Sequence, residues 1–165
     1  HLLRPVSRLL SGLAAAFSMI GIAVIAANSM NHAAALTFLS QHTFFTGPGE
    51  SELNLIAHNF LRLHGQGYNI ASVFFGFYCG LVGWLIIKSE FLPRIVGALM
   101  LIAGLCFLVD AFMIIVSPAT AAYLDTFTSV VSLIGEGGLT AWLLIFGIDE
   151  KKWRKNALNV GRFAD

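Results

Sequence analysis

Four apolar stretches, each about as long as a bilayer is thick, constrain this chain more than any other feature. A helix needs about 20 residues to cross the hydrocarbon core. Residues 9–30, 67–87, 93–117 and 123–148 each meet that length. None of them alternates between apolar and polar residues as barrel strands do, and in lipid only helices or closed barrels satisfy their backbone polar groups. The sequence therefore predicts an all-α polytopic membrane bundle with four transmembrane helices.

The composition agrees with this prediction. Hydrophobic residues fill 57% of the 165 positions, and the 12% that are charged are about half the share in a soluble domain. The net charge of +1 gives no support to nucleic-acid binding. We expect a single membrane domain over residues 1–165, with the lipid bilayer and other membrane subunits as its partners.

The connections between the predicted spans differ in length. Residues 31–66 form a long first connection, whereas the turns at 88–94 and 117–121 are short enough to make antiparallel hairpins. Within the long connection, five apolar residues recur at helical spacing: Leu53, Ile56, Ala57, Phe60 and Leu61. This pattern predicts an amphipathic helix on the outer surface, with a bent extension of the second span as the alternative.

Positive charge is concentrated on one side of the predicted bundle. Nine Lys and Arg residues precede the first span, lie in the turn at 88–94 or follow the fourth span, whereas only Arg62 falls on the other side. Cytoplasmic segments carry such an excess of basic residues. We therefore expect a bacterial inner-membrane protein with both ends of this sequence in the cytoplasm, residues 149–165 as a cytoplasmic tail and the first connection outside.

Two carboxyl groups lie well within predicted spans, away from their ends, where an ionised group is costly and often functional. They are Asp110 in LMLIAGLCFLVDAFMIIV and Glu136 in TFTSVVSLIGEGGLTAWLLIFGI, and no Lys or Arg shares either stretch. Counted along the helices, Asp110 lies about 10 Å below the outer surface and Glu136 about 20 Å below it. We expect Asp110 to be the functional group and Glu136 to be structural.

Further polar residues are predicted near the same outer boundary: Asn31, His32, His64 and Asn69. With the two acids they predict a polar funnel, with amides and histidines at its mouth, Asp110 below them and Glu136 at its bottom. A network of hydrogen bonds between helices and a site for a ligand, ion or proton are both consistent with these residue types. No His-x-x-x-His or His-Glu-x-x-His spacing occurs, so no metal site is predicted, and no cofactor is identified.

Small residues repeat at helical spacing and predict the faces on which the helices meet. In the later spans we expect four packing glycines: Gly76, Gly80, Gly83 and Gly135. The first span carries a comparable stripe of small and polar residues: Ser11, Ala14, Ser18, Gly21, Asn28 and His32.

Two segments carry a family resemblance. Residues 60–112 contain LH-x-x-GY, FFG and FLPRI-x-G motifs together with Asp110, and residues 134–148 contain the Gly135–Glu136 pair. They resemble a family of bacterial integral membrane proteins catalogued as a domain of unknown function, number 4386. The resemblance implies a helical membrane fold and two further helices upstream of this sequence. It implies no activity.

The leading hypothesis is a non-enzymatic inner-membrane protein that serves as an accessory or scaffold subunit of a larger membrane assembly. It rests on the small size, the glycine-lined seams and the lack of a catalytic signature such as G-x-S-x-G. The alternative is a small transporter, channel or ligand sensor that uses His64, Asp110 and Glu136. A membrane enzyme, or a protein that binds a metal or haem, is the third.

Overall fold

The computed structural model describes residues 1–40 and 49–162 and is helical along nearly all of that length. The described helices are α1 (Arg8–Ser40), α2 (Glu50–Lys88), α3 (Arg94–Val116), α4 (Pro118–Ile145) and α5 (Glu150–Arg162). Four of them, α1 to α4, are long and apolar enough to cross a membrane. The predicted all-α bundle with four transmembrane helices is confirmed.

The first two helices are longer than the sequence predicted. α1 has 33 residues and α2 has 39, which correspond to about 50 Å and 58 Å against a hydrocarbon core of about 30 Å. Both therefore extend past the bilayer at the end opposite α5, which we call the distal end. The sequence has a Gly-Pro-Gly run at 47–49, which lies partly outside the described residues, and α2 begins directly after Gly49.

The residues of the expected amphipathic helix form the first part of α2. The prediction of a separate surface helix is therefore wrong, and the alternative of an extended second span is correct. The apolar face of this first part packs against the distal part of α1. Leu53 and Ala57 are buried, and Phe60 stacks on Phe38 of α1 with ring centroids 5.6 Å apart. The glycine at position 65 costs a helix only about 1 kcal/mol, so a well-packed helix continues through it.

Each of the four long helices packs most extensively against its neighbour in the chain, and α2 is the central one. In the most apolar part of α2, 44% of residues are buried, compared with 11% in α1. Glycines allow α2 and α3 to approach closely. A Cβ placed on Gly83 would lie 2.6 Å from the carbonyl oxygen of Gly97, and one on Gly104 would lie 2.7 Å from that of Gly76.

Several segments pack together at the end that carries α5, which we call the basic end. A core of buried residues that includes Phe91, Leu92 and Val96 is covered by Leu2 and Trp153. The indole Nε1 of Trp153 donates a 2.9 Å hydrogen bond to the carbonyl oxygen of Leu2. The tail predicted from residue 149 onwards therefore contains a helix that is fixed to the bundle.

Candidate functional site

A hydrogen-bonded cluster joins α1 to α2 near the distal end. The Asn28 side-chain amide donates a 2.7 Å hydrogen bond to the main-chain oxygen of His64, and its nitrogen lies 3.3 Å from the His64 ring Nδ1. The same ring nitrogen lies 3.3 Å from the main-chain oxygen of Asn28. Asn31 donates a 3.0 Å bond to Asn28 Oδ1. Asn28, only 7% exposed, thus has its amide satisfied by both helices.

Two further features shape this cluster. The His32 ring meets the His64 ring edge to face, with centroids 4.9 Å apart. A Cβ on Gly67 would overlap the Asn28 side chain, so any other residue at this position would require the asparagine to shift. We call Asn28, Asn31, His32 and His64 the amide–histidine cluster. It brings together three of the residues that were predicted to form the mouth of a funnel.

Asp110 lies deeper in the bundle, on α3, and is 8% exposed. Glycine contacts give the pairing of the antiparallel helices: Gly76 of α2 meets Leu108, and Gly135 of α4 meets Ala103. This pairing brings Asp110 to the level of Ser72 on α2 and near that of Thr128 on α4, both of which are buried. Three buried polar side chains, one from each of these helices, therefore lie at about the same level.

Glu136 is held at a different level. Its Oε1 accepts a 3.2 Å hydrogen bond from the Cys79 thiol of α2, and the Thr140 hydroxyl donates 2.9 Å to its main-chain oxygen. Gly135, next to it, packs against Ala103 of α3. Glu136 therefore contacts α2, although its own helix, α4, packs mainly on α3.

These groups occupy three successive levels along α2. His64, Ser72 and Cys79 mark them, and the rise of a helix places adjacent levels about 12 Å and 10 Å apart. Such spacings are too long for a direct hydrogen bond between His64, Asp110 and Glu136. The structure therefore divides the predicted funnel residues among separate levels. The described contacts of His64 are with Asn28 and His32, and not with either of the two acids.

Asn69, the remaining predicted site residue, lies outside the amide–histidine cluster. It lines an open, mostly apolar cleft of about 240 Å³ between α2 and α3. The other residues that line it are Gln66, Ile70, Val73, Ala111, Ile114 and Ile115. Among residues 1–40 and 49–162, no three His, Cys, Asp or Glu side chains come together as metal ligands.

The predicted packing glycines differ in their surroundings. Added Cβ atoms on Gly76, Gly83 and Gly135 would come within 2.9 Å of a neighbouring helix, whereas one on Gly80 would meet nothing within 4 Å. Gly80 nevertheless presents its backbone nitrogen to Gly104 of α3, where an added Cβ would lie 2.7 Å from that nitrogen. The close contact therefore depends on Gly104 rather than on a side chain at position 80.

Sequence reasoning missed two side chains that organise these sites. Asn28 was noted only as one member of a stripe, although an amide inside an apolar helix requires a polar partner. Cys79 belongs to no motif in the sequence, and a cysteine by itself does not indicate a carboxyl partner 57 positions away on another helix.

At the basic end, Asp149 stabilises the start of α5. Its carboxylate accepts a 3.2 Å hydrogen bond from the backbone N–H of Lys152 and lies 3.4 Å from the ammonium group of the same residue. The backbone hydrogen bond is the main cause that holds the pKa of Asp149 below its usual value. The Asp149 backbone N–H in turn donates to the carbonyl of Phe91, at 3.2 Å.

Four apolar spanning helices with buried polar groups between them define a polytopic α-helical membrane protein. The chain belongs to the family described as Domain of unknown function (DUF4386), whose model matches residues 1–147. The match ends before α5 begins at Glu150. No curated protein and no solved structure matches the chain.

Proposed function

We propose that this chain is a non-enzymatic membrane protein that serves as an accessory or scaffold subunit of a larger membrane assembly. The observation that carries the proposal is the surface of α1. One face of α1 packs on α2 through Ala14, Gly21, Asn28 and Ala35, all buried and seven residues apart. The opposite face also carries small residues, and it is exposed.

The exposed face is well suited to a further helix. Gly12, Ala16, Ala23 and Ala27 fall within about 60° of one another around the helix axis, and all four are exposed. A Cβ on Gly12 would meet nothing within 4 Å. Lipid places no demand for small side chains, whereas close helix packing does. We infer that a transmembrane helix of another subunit packs on this face. The competing occupant is one of the two helices that the family resemblance implies upstream of this sequence.

Substitution of this face tests the proposal. The protein is purified from native membranes in mild detergent, as wild type and as the Ala16→Leu/Ala23→Leu double variant. We expect the wild type to retain a stoichiometric membrane partner and the double variant to lose it while keeping its melting temperature. Ala141→Leu enlarges an exposed small residue on α4 instead and is expected to retain the partner. A wild-type protein that purifies as a lone monomer would contradict the proposal.

A second candidate function is a small transporter, channel or ligand sensor that uses His64, Asp110 and Glu136. It is favoured by the three levels of polar groups along α2, since buried acids in membrane helices often serve transport. Asp110→Asn and Glu136→Gln are expected to abolish substrate-dependent flux or binding in proteoliposomes while the folded yield stays unchanged. Loss of folding in both variants would instead assign the acids a structural role.

We further infer that the protein resides in a bacterial inner membrane with its basic end in the cytoplasm. The excess of Lys and Arg around α5, the start of α1 and the turn between α2 and α3 supports this orientation. Reporter fusions after residue 165 and within residues 41–48 test it. The C-terminal fusion is expected to be active only as a cytoplasmic reporter and the internal one only as an external reporter. The reverse pattern would overturn the assignment.

A further inference from the structure

An open cleft lies at the basic end, between the segment that precedes α1 and the helix α5. Its volume is about 370 Å³. It is lined by His1, Arg4, Pro5, Arg8, Trp153 and Ala157. These residues come from opposite ends of the sequence, so the cleft exists only because α5 folds back beneath the bundle.

The walls of the cleft are held in place by contacts on both sides. Trp153 donates its indole hydrogen bond to Leu2, as described above, and is itself packed against the buried core. On the other wall, Leu3 and Val6 pack against the same core. Arg4 and Arg8 follow with a spacing of four residues, and both are exposed. The two guanidinium groups therefore project from an anchored backbone.

The charge around the cleft is not neutralised by the acids on α5. In the described part of the chain, Glu150 is in an ion pair with Arg154 at 2.6 Å and Asp149 is in one with Lys152 at 3.4 Å. No described carboxylate lies within ion-pair distance of Arg4 or Arg8. The cleft thus combines two arginines, which bind phosphate oxygens in a bidentate fork, with a tryptophan of the kind found at the membrane interface.

We propose that this cleft binds the phosphate group of a ligand at the membrane surface. Its position supports this: α1 becomes apolar immediately after Arg8, so the two arginines lie at the level where phospholipid phosphates occur. An anionic phospholipid presents such a phosphate at this level, and a soluble phosphate compound presents the same group from the aqueous side. The proposal is independent of the accessory function inferred from α1.

Binding is measured by native mass spectrometry of the full chain released from nanodiscs of phosphatidylcholine, with or without phosphatidylglycerol. We expect one phosphatidylglycerol to be retained by the wild type, and the Arg4→Gln/Arg8→Gln variant to lose it. Each basic residue at the membrane surface contributes about fivefold to affinity for anionic lipid, so the double variant is expected to bind about 25-fold more weakly.

The matched control removes the same charge from the opposite face of α5. Lys151→Gln/Lys155→Gln is expected to retain the lipid, because neither lysine lines the cleft. Arg4→Lys/Arg8→Lys keeps the charge but not the fork, and we expect intermediate retention and unchanged folding. Equal losses in the two glutamine variants would mean diffuse surface attraction and would overturn the proposal. A wild type that neither retains phosphatidylglycerol nor is stabilised by inorganic phosphate would also overturn it.

A second arm distinguishes the two sources of phosphate. Inorganic phosphate is added to the protein in phosphatidylcholine nanodiscs, and its effect on the melting temperature is recorded. Stabilisation that requires Arg4 and Arg8, without selective retention of phosphatidylglycerol, would support a soluble phosphate ligand. Selective retention of the lipid, without an effect of inorganic phosphate, would support a lipid headgroup.

Discussion

The side-chain amide of Asn28 donates to the main-chain oxygen of His64 at 2.7 Å, and this bond ties α1 to α2 where both helices reach the distal end. Asn28 lies in an otherwise apolar stretch of α1, and His64 lies in the amphipathic first part of α2. The bond satisfies a buried amide and fixes the relative position of the two helices along their axes, because a shift by one residue would leave the amide without its partner.

The space for Asn28 depends on Gly67. Gly67→Ala is expected to displace Asn28 and to lower the free energy of unfolding by about 1–3 kcal/mol. Gly65→Ala, two residues earlier, is the matched control, because a Cβ there meets nothing within 4 Å. Its helix propensity should make it neutral or stabilising by up to about 1 kcal/mol. Denaturant unfolding in detergent measures both, and equal stabilities would contradict the assigned role of Gly67.

Gly76 and Gly80 share a Gly-x-x-x-Gly spacing but differ in their contacts, so substituting each one tests which of the two matters for stability. Gly76→Ala places a Cβ 2.7 Å from Leu108 Cγ and 3.0 Å from the carbonyl oxygen of Gly104, whereas Gly80→Ala meets no atom within 4 Å. We expect Gly76→Ala to cost about 1–3 kcal/mol and Gly80→Ala to be tolerated. If both variants melt at the wild-type temperature, the close packing of α2 on α3 is not needed for stability.

The Cys79–Glu136 hydrogen bond predicts an energetic coupling between α2 and α4. In a double-mutant cycle of Cys79→Ala with Glu136→Leu, we expect a coupling of about 0.5–1.5 kcal/mol. Glu136→Gln keeps an acceptor oxygen and should retain most of it. Cys106→Ala, which removes the other described cysteine, is expected to be additive with Glu136→Leu. If the coupling energy between Cys79 and Glu136 is zero, this hydrogen bond does not contribute to stability.

The start of α5 is predicted to respond to acid through Asp149. Because the pKa of this carboxyl is lowered in the folded protein, mainly by the Lys152 backbone N–H, its stabilising effect is present above the unfolded pKa. It is lost as the pH falls below about 4, toward the lowered folded value. Hydrogen exchange of the α5 amides, corrected for intrinsic rates, should therefore accelerate in acid. Asp149→Asn removes this pH dependence if the assignment is correct.

The distal ends of α1 and α2 show where sequence patterns stopped being sufficient. The apolar spacing of Leu53 and Ala57 indicated a helix with one buried face, and that much is correct. Whether this face meets the membrane surface or another helix depends on where α1 ends. The chain after residue 30 contains no helix-breaking residue up to Ser40, so α1 continues and provides the partner.

For the polar residues too, the sequence predicted one property, their depth, but not another, their partners. Hydropathy indicated that Asp110 and Glu136 lie inside spans, since their depth follows from counting residues along a helix. Their partners depend on helix rotation and on pairing between helices, which the glycine contacts at Gly76 and Gly135 establish. Reasoning from residue types alone therefore grouped His64 with Asp110, although about eight residues of helix rise separate their levels.

The sequence by itself determined that this protein is a bundle of four membrane-spanning helices, because only a helix satisfies the backbone of a 20-residue apolar run in lipid. It also determined that two acids lie well inside those apolar runs. Only the tertiary structure decided that Asn28 pairs with His64, that Cys79 pairs with Glu136, and that α5 folds back to form a cleft with Arg4 and Arg8. Those contacts join residues that are distant in the chain, and local periodicity carries no information about which helix faces meet.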